Sequence, residues 1–406
     1  MRLAQNNCAP YFLHEIMRLY DRMVSQKFSG NSTHYIVVHL LNNFSGSPRV
    51  LSDFCATEQV QSQSLTIITS QSEGFLDHSL GEKRAIWYPR GRSNFLNSVS
   101  FAFAQLQLFF NTSLLVLKNR WRGKHVVVVN NTILTLGSMI ASRICGASTL
   151  VYIHEINSGP PLMRRVAISI IDWAAHQIIF VSKFASNQYE FNGKAAKVLP
   201  NGLRIDFDLE PNLDLKLKFN QRQVLFVGSL KQYKGVYELL KLVERMPDTP
   251  FTGVFNCSAS ELQEFSASVR IPKNLTLLSN QPNIQKLYQD AFLVMNLSLP
   301  DLWIETFALT VLEGMACGCP CVVPLVGGHL DYFDHKSGLK VDARNTKEIV
   351  DFIEKLQGDY DLWRGYSDHV LTVAKKYSAA VYSRRVDEFL IDCNSRHKND
   401  EVKENR

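Results

Sequence analysis

Glu305–Thr306–Phe307–Ala308–Leu309–Thr310–Val311–Leu312–Glu313, continuing as Gly314–Met315–Ala316–Cys317–Gly318–Cys319–Pro320, places two carboxylates eight positions apart around the start of a helix. Ahead of it, Leu293 to Leu299 reads as a buried strand and its exit, and Thr310 to Cys317 has helical apolar spacing closed by Gly318. A strand-to-helix junction therefore lies between the two glutamates. Such a junction exposes free N–H groups and a partial positive charge, which is where a ligand phosphate sits. Ionised carboxylates only accept hydrogen bonds, so Glu305 and Glu313 suit hydroxyl-rich groups on either side of that phosphate. A nucleotide sugar has this layout: ribose hydroxyls, a pyrophosphate, then sugar hydroxyls.

Outward from this junction, short β-rich runs alternate with helical patterns. A first series comprises Tyr35–Leu41, Leu65–Thr69, Val126–Val129, Leu150–Ile153, Ile178–Val181 and Lys197–Leu199. A second comprises Val224–Val227, Gly253–Phe255, Leu275–Leu278, Phe292–Asn296, Cys321–Val323 and Leu339–Val341. This is the βαβ rhythm of parallel sheets, and 406 residues are too many for one core. Between the series Asn201 to Arg222 is rich in Pro, Asn and alternating charge, which marks a linker with a boundary near Asn201. The expected α/β organisation is a helical extension over 1–33, with a helix from Tyr11 to Val24, one Rossmann-like domain over 34–201 and another over 202–379. A helix over 380–393 and a charged tail over 394–406, disordered from His397 to Arg406, complete it.

Hydrophobic residues at 46% and charged residues at 20% are ordinary for a soluble globular protein. The net charge of +6 is uneven: residues 1–201 carry 19 Lys+Arg against 10 Asp+Glu, leaving 25 against 28 for the remainder. The first half suits anionic surfaces, but without a recognised binding motif this charge does not call for nucleic acid. The eight cysteines lack CxxC spacing, and Cys317, Cys319 and Cys321 alternate across a turn, as buried small residues in a reducing compartment do. Met1 to Asp21 lacks a secretory apolar core, so Asn-x-Ser/Thr matches such as Asn31–Ser32–Thr33 are expected to go unused, and the cytoplasm is the expected location.

Ser93 to Leu117 contains no charged residue and is long enough to cross a bilayer. Asn97, Gln105, Gln107 and Asn111 argue against a span. Phe95, Val99, Phe103, Leu106, Phe110, Leu114 and Leu117 recur every three or four residues, as on the buried face of an amphipathic helix, so a core helix is the expectation. Arg90 and Arg92 precede it, and Lys118, Arg120, Trp121, Arg122 and Lys124 follow. Those flanks would also suit a peripheral contact with anionic lipid on the inner face of a membrane.

Glu305 to Glu313 resembles the paired-glutamate signature of retaining glycosyltransferases with the GT-B fold, of the large group that includes glycosyltransferase family four. The similarity extends through Cys321–Val322–Val323, Gly327–Gly328 and Gly338–Leu339–Lys340–Val341. Val227–Gly228–Ser229–Leu230–Lys231–Gln232–Tyr233–Lys234–Gly235 resembles that family's phosphate loop, Leu199–Pro200–Asn201–Gly202 its interdomain turn, and Val181–Ser182 its serine motif. The match covers roughly residues 150–345. It implies two facing Rossmann-like domains with a cleft between them, the first binding the acceptor and the second a nucleotide-diphosphate sugar, and a last helix crossing back to the first domain.

By that resemblance Glu313 accepts hydrogen bonds from the ribose, Glu305 contacts hydroxyls of the transferred sugar, and His154 faces the sugar across the cleft. Lys234 and the helix start at Phe307–Ala308–Leu309–Thr310 hold the diphosphate with Gly228, Ser229 and Lys231. Gly46 and Ser47 form the loop that approaches acceptor and donor phosphate. Two positions depart from the family: Ser229 stands where arginine is usual, with Lys231 as its candidate substitute, and Ala308 where glycine is usual. Asp206–Phe207–Asp208 offers a metal-type pair only superficially, so neither a metal nor another cofactor is expected. The activity implied is transfer of a sugar, with retention, to a glycan or lipid-linked acceptor of surface polysaccharide synthesis. The alternatives are a non-catalytic sugar-nucleotide-binding subunit and an epimerase or phosphorylase of the same fold.

Overall fold

The computed structural model describes residues 32–91, 93–156, 161–192, 194, 196–207, 213–281 and 283–404; the expected helix from Tyr11 to Val24 lies outside them. Two parallel sheets follow one another. The first contains β1 (Thr33–His39), β2 (Ser64–Ser70), β3 (Glu82–Ile86), β4 (His125–Asn131), β5 (Ser148–Ile153), β6 (Gln177–Phe180) and β7 (Ala196–Val198), in the order β3-β2-β1-β4-β5-β6-β7. Its helices are α1 (Gly46–Cys55), α2 (Glu58–Gln61), α3 (Asn94–Trp121), α4 (Leu136–Ile144), α5 (Pro161–Ala174) and α6 (Lys183–Ser186). The second sheet contains β8 (Val224–Gly228), β9 (Phe251–Phe255), β10 (Leu275–Leu278), β11 (Leu293–Met295), β12 (Cys321–Val323) and β13 (Gly338–Lys340), ordered β10-β9-β8-β11-β12-β13. Around it run α7 (Leu215–Gln221), α8 (Val236–Arg245), α9 (Ala259–Ser268), α10 (Ile284–Asp290), α11 (Leu309–Ala316), α12 (Thr346–Gly358) and α13 (Tyr360–Lys375), followed by α14 (Ala379–Glu404).

Both orders reverse at one point, between β1 and β4 and between β8 and β11. In open parallel sheets ligands bind in the crevice beyond the carboxyl ends of the strands at that point. The loops after β8 and β11 are the phosphate-loop stretch and the approach to Glu305, so the chain order alone delivers both to one crevice.

Four local expectations are corrected. β3 was not foreseen: Glu82, Lys83 and Arg84 make it polar, which fits its place as an exposed edge strand, where charge discourages pairing with other chains. Within the supposed linker Asn201–Arg222, residues 215–221 form α7, capped by Asp214, whose side chain accepts from the Leu217 N–H at 2.9 Å. The tail does not leave the helix, for α14 runs on to Glu404. Gly46 and Ser47 form the first turn of α1 and not a free loop.

The largest correction concerns α3. Phe95, Val99, Phe103, Leu106, Phe110, Leu114 and Leu117 face outward, and the buried side consists of Ser100, Ala104, Leu108, Thr112, Leu115, Val116 and Asn119. Small residues let the helix lie close on the sheet, where Ala104, Leu108, Leu115 and Val116 pack with Ile36, Val38, Ile68, Val126 and Val128.

α14 packs on the first domain: the Gln59 N–H donates to Asp387 at 2.9 Å, and Lys197 pairs with Asp392 at 2.6 Å. In the second domain Lys218 of α7 is buried, and its ammonium donates to the carbonyls of Tyr288, at 3.0 Å, and Cys317 and to the Cys319 sulfur at 3.2 Å. Those carbonyls lie at the ends of α10 and α11, where a cation satisfies orphan acceptors and opposes the helix dipoles. Lys218→Met keeps the apolar stem but strands these acceptors, and should cost about 1–3 kcal/mol in urea unfolding. An unchanged midpoint would show that the ammonium contributes nothing net.

Candidate active site between the two sheets

Glu305 lies beyond β11, where its backbone bridges to Gly327 and accepts the Gly328 N–H at 2.7 Å. Three donors converge on its Oε1: Lys234 at 2.5 Å, Ser298 at 2.6 Å and Asn296 at 3.4 Å. Oε2 takes none of them. Burial pushes the carboxyl up, yet the Lys234 charge and the hydrogen bonds from Lys234, Ser298 and Asn296 together outweigh it and hold Glu305 below its usual range. It is therefore an ionised acceptor with one oxygen tied. Lys234 reaches it from the turn after β8, and its ammonium also sits 5.6 Å from the Trp303 ring centre and 5.8 Å from that of Tyr233.

The phosphate-loop residues fall beside this pair. A Cβ on Gly228 would stand 3.8 Å from the Lys234 Cβ, and Gly235 adopts φ +81 against the Leu297 carbonyl, a position only glycine fills without strain. Ser229 Oγ is enclosed without a hydrogen-bond partner. Lys231 is exposed. Ala308 has φ +62 and ψ +66 immediately before α11, the left-handed conformation for which glycine is usual. The open N–H groups of Leu309 and Thr310 follow, and Phe307 is buried behind them.

Glu313 lies one turn further along α11, and both its oxygens are engaged. Oε1 accepts from Arg49 of α1 at 3.3 Å, and Oε2 from the Tyr288 hydroxyl at 2.9 Å. Arg49 also donates to the Gly202 carbonyl at 3.0 Å, so one buried guanidinium joins α1, the interdomain turn and α11. The Gly46 end of α1 faces the same helix: a Cβ there would be 3.6 Å from Leu309 Cδ1.

The opposite wall is made by the ends of β1, β4 and β5. Burial lowers His154 to about 3 and His39 to about 4, so both imidazoles are neutral at ordinary pH. His39 Nδ1 lies 2.9 Å from Asn131 Nδ2, and His154 Nε2 is enclosed without a partner. Glu155 is pushed by burial up to about 7, although it accepts the N–H groups of Ile133 at 2.8 Å and His154 at 3.2 Å. The walls are stitched together by Thr306, whose hydroxyl donates to the His154 carbonyl at 2.6 Å and whose carbonyl accepts from Ser182 at 2.7 Å. Lys183 N–H to Asp331 at 2.5 Å and Asn256 to the Phe44 carbonyl at 2.8 Å add two more bonds across the cleft. Asp206 pairs with Arg204 at 3.4 Å, and Asp208 lies outside the described residues.

Thus the structure gathers Glu305, Lys234, Gly228, Ser229, Phe307, Ala308, Leu309 and Thr310 at one crevice, sets His154 across from it, holds Glu313 against Arg49, and leaves Lys231 exposed. Sequence reasoning passed over Arg49, Tyr288, Asn296, Ser298, His39, Asn131 and Glu155. Only position could have flagged them: Asn296 and Ser298 stand at the exit of β11, Arg49 three residues beyond Gly46, and Glu155 next to His154.

In the second domain, residues 214–365 match the model of the family described as glycosyl transferases group 1. An uncharacterized glycosyltransferase of Methanocaldococcus jannaschii is 24% identical over 227 residues, 51% of this chain and 56% of that protein. A D-inositol 3-phosphate glycosyltransferase of Corynebacterium urealyticum is 28% identical over 180 residues, 40% of this chain and 41% of its own length. The chain spans about half the length of the curated relatives it matches. Among solved structures, Anabaena HepE in complex with UDP and glucose superposes with a TM-score of 0.71 at 17% identity, covering 88% of this chain and 98% of that one. WaaG, a glycosyltransferase involved in lipopolysaccharide biosynthesis, superposes at 0.63 and 13%, covering 88% and 99%. The fold is GT-B, two Rossmann-like parallel-sheet domains facing one cleft.

Ala308 provides a test of the junction. Ala308→Gly should relieve about 1–2 kcal/mol of left-handed strain, while the freer unfolded chain returns about 0.4–1 kcal/mol, leaving a net gain of roughly 0.5–1 kcal/mol in denaturant unfolding. A loss of stability would mean that the buried methyl matters more than the backbone.

Proposed function

We propose that the protein transfers a sugar from a nucleoside-diphosphate sugar to a glycan or lipid-linked acceptor, with retention of configuration. The observation that carries this reading is the Lys234–Glu305 pair at the reversal point of the second sheet, beside an open helix start and an unpartnered Ser229 hydroxyl. As the sugar–phosphate bond opens, negative charge grows on the departing diphosphate and positive charge on the anomeric carbon. Lys234, Ser229 and the N–H groups of Leu309 and Thr310 stabilise the first. Glu305 accepts sugar hydroxyls through Oε2, and neutral His154 offers Nε2 from across the cleft. Glu313 takes the ribose hydroxyls in place of Arg49. Glu305 is tied to Lys234 and Ser298, which suits a hydrogen-bond acceptor better than a covalent nucleophile. Same-face attack assisted by the leaving phosphate is therefore the mechanism we favour, without a metal ion.

Uridine diphosphate sugars are the donors to test first, because HepE has been solved with UDP and with UDP-glucose. Surface polysaccharide synthesis at the cytoplasmic face of a membrane is the proposed setting, consistent with the excess of 19 Lys+Arg over 10 Asp+Glu in residues 1–201. A mass-spectrometric screen of sugar nucleotides against lipid-linked and free glycans, with chelator present, tests the reading by the appearance of a new glycosidic bond. Donor binding without turnover would instead identify a sugar-nucleotide-binding subunit.

Lys234→Ala should slow transfer roughly a hundredfold, about 3 kcal/mol of transition-state stabilisation. Turnover within a factor of about two of the unmodified protein would remove Lys234 from the diphosphate site. Glu305→Gln should reduce transfer far more than it reduces calorimetric binding of free UDP, because the contact is to the sugar. Equal losses in both would overturn that division of roles.

A further inference from the structure

The outward face of α3 is the least ordinary surface of the molecule. Phe95, Leu96, Val99, Phe103, Leu106, Phe110, Leu114, Leu117 and Trp121 form one stripe down the helix, each between 39% and 82% exposed. An aromatic side chain carries roughly 150–250 Å² of surface, so Phe95, Phe103, Phe110 and Trp121 alone present roughly 400–650 Å² to solvent. The largest apolar patch of an ordinary soluble monomer is about 300–600 Å² in total. The aliphatic residues of the stripe come on top of that. Solvent-facing helix surfaces are normally charged, yet the residues of α3 from Asn94 to Leu117 include no Asp, Glu, Lys or Arg.

Its surroundings say what kind of partner fits. From residue 83 to residue 154 the chain has nine Lys and Arg and no Asp or Glu. Arg90 lies exposed before the helix, and Lys118 and Arg122 lie exposed at its far end beside Trp121. Beyond α4, the helix on which α3 packs, α5 exposes Leu162, Met163, Val166 and Trp173. The polar side chains of α3 are engaged at its flanks. Gln107 hydrogen-bonds the Trp87 backbone N–H and carbonyl at 2.9 Å each, and Gln105 the Leu134 carbonyl and Gly137 N–H at 3.0 and 2.9 Å. An apolar, aromatic stripe with cations at both ends, in a stretch of sequence without acids from residue 83 to 154, is complementary to acyl chains beneath anionic headgroups, and a protein partner of ordinary composition would not require that charge.

We propose that α3 lies flat in the interface of an anionic bilayer, its Phe95–Trp121 stripe among the acyl chains and Arg90, Lys118 and Arg122 at the headgroups. It does not cross the bilayer. The helix is long and apolar enough to do so, but its other side covers β1, β2 and β4, and a span would strip those strands of their cover. The stripe runs over 27 residues from Phe95 to Trp121, roughly 39 Å at helical rise, which gives a long, shallow footprint. At the Asn94 end, Trp87, Tyr88, Pro89 and Arg90 border a cavity of about 390 Å³ with Leu41, Gln71 and Ser72, so the docked orientation brings the cleft-side edge of the first domain to the lipid. The inference names a surface for the lipid-linked acceptor reading but does not rest on donor chemistry, so vesicle binding and donor turnover are measured separately.

The test is co-sedimentation of the full chain with phosphatidylcholine vesicles containing about one third phosphatidylglycerol, beside pure phosphatidylcholine. Leu106→Gln, Phe110→Gln and Leu114→Gln combined replace three exposed residues by a good helix former without changing charge. We expect the unmodified protein to sediment with the anionic vesicles and the triple variant to lose roughly tenfold or more in affinity, with unaltered melting temperature and donor turnover. Lys118→Gln with Arg122→Gln should remove the preference for anionic over neutral vesicles. Equal sedimentation of the triple variant, or none by the unmodified protein, overturns the proposal. So does a dimer that the triple variant converts to monomer, which would make the stripe a self-interface, or a fall of many degrees in its melting temperature, which would show the stripe covered by the chain itself.

Discussion

Thr306 is held from both sides, its hydroxyl on the His154 carbonyl at the end of β5 and its carbonyl on the Ser182 hydroxyl just beyond β6. Glu305 precedes that residue and the start of α11 follows it, so this stitch ties both to the first domain. A Cβ on Gly328 would come within 1.7 Å of the Thr306 carbonyl oxygen in the same domain and 2.7 Å from Ser182 Oγ of the other. Gly328 is thus required by packing around Thr306, whatever ligand the cleft takes. The same stitch joins the end of β5, where His154 Nε2 has no hydrogen-bond partner, to the residue that follows Glu305.

Two carboxylates at the heart of this arrangement need compensation, and each receives it from a different source. Removing a carboxylate from water costs several kcal/mol unless a cation and further donors replace the solvent. Glu305 is compensated within its own domain by Lys234, with Ser298 and Asn296. Glu313 is compensated from the other domain by Arg49, with Tyr288. A ligand that offers hydroxyls to Glu313 must exchange with Arg49, whereas one that approaches Glu305 finds Oε2 open. The two members of the signature are therefore unequal in the closed cleft, and the position of α1 is coupled through Arg49 to the occupancy of α11.

The sheet orders and the crevice were legible in the sequence because parallel strands buried on both faces read as short apolar runs, and those runs fall where β1, β2 and β4 to β13 form. β3 was not legible, for an edge strand made of Glu82, Lys83 and Arg84 has no apolar signature. α7 hid in polar sequence because its most buried side chain is a lysine whose partners, the carbonyls of Tyr288 and Cys317, are about 70 and 100 residues away. At the site, motif spacing pointed to residues on the Glu305 and Lys234 loops. The partners that set their charge, Arg49 for Glu313 and Ser298 for Glu305, are matters of three-dimensional packing that no local pattern carries.

The reversal of α3 shows where periodicity stops being informative. Spacing of three and four establishes that Phe95, Val99, Phe103, Leu106, Phe110, Leu114 and Leu117 share a face, but not which way that face points. The direction is usually supplied by charge on the opposite face, and here the opposite face is Ser100, Ala104, Leu108, Thr112, Leu115 and Val116, without any charge. Small residues such as Ser100, Ala104 and Thr112 alternate on the buried side with Leu108, Leu115 and Val116, and that side packs on the sheet. A Cβ on Gly137 would stand 2.0 Å from the Gln105 carbonyl oxygen, so α3 and α4 touch backbone to backbone. Phe95, Phe103, Phe110 and Trp121 face away from both contacts. The absence of acids along residues 83 to 154 is the independent feature that gives the exposed stripe its anionic counterpart.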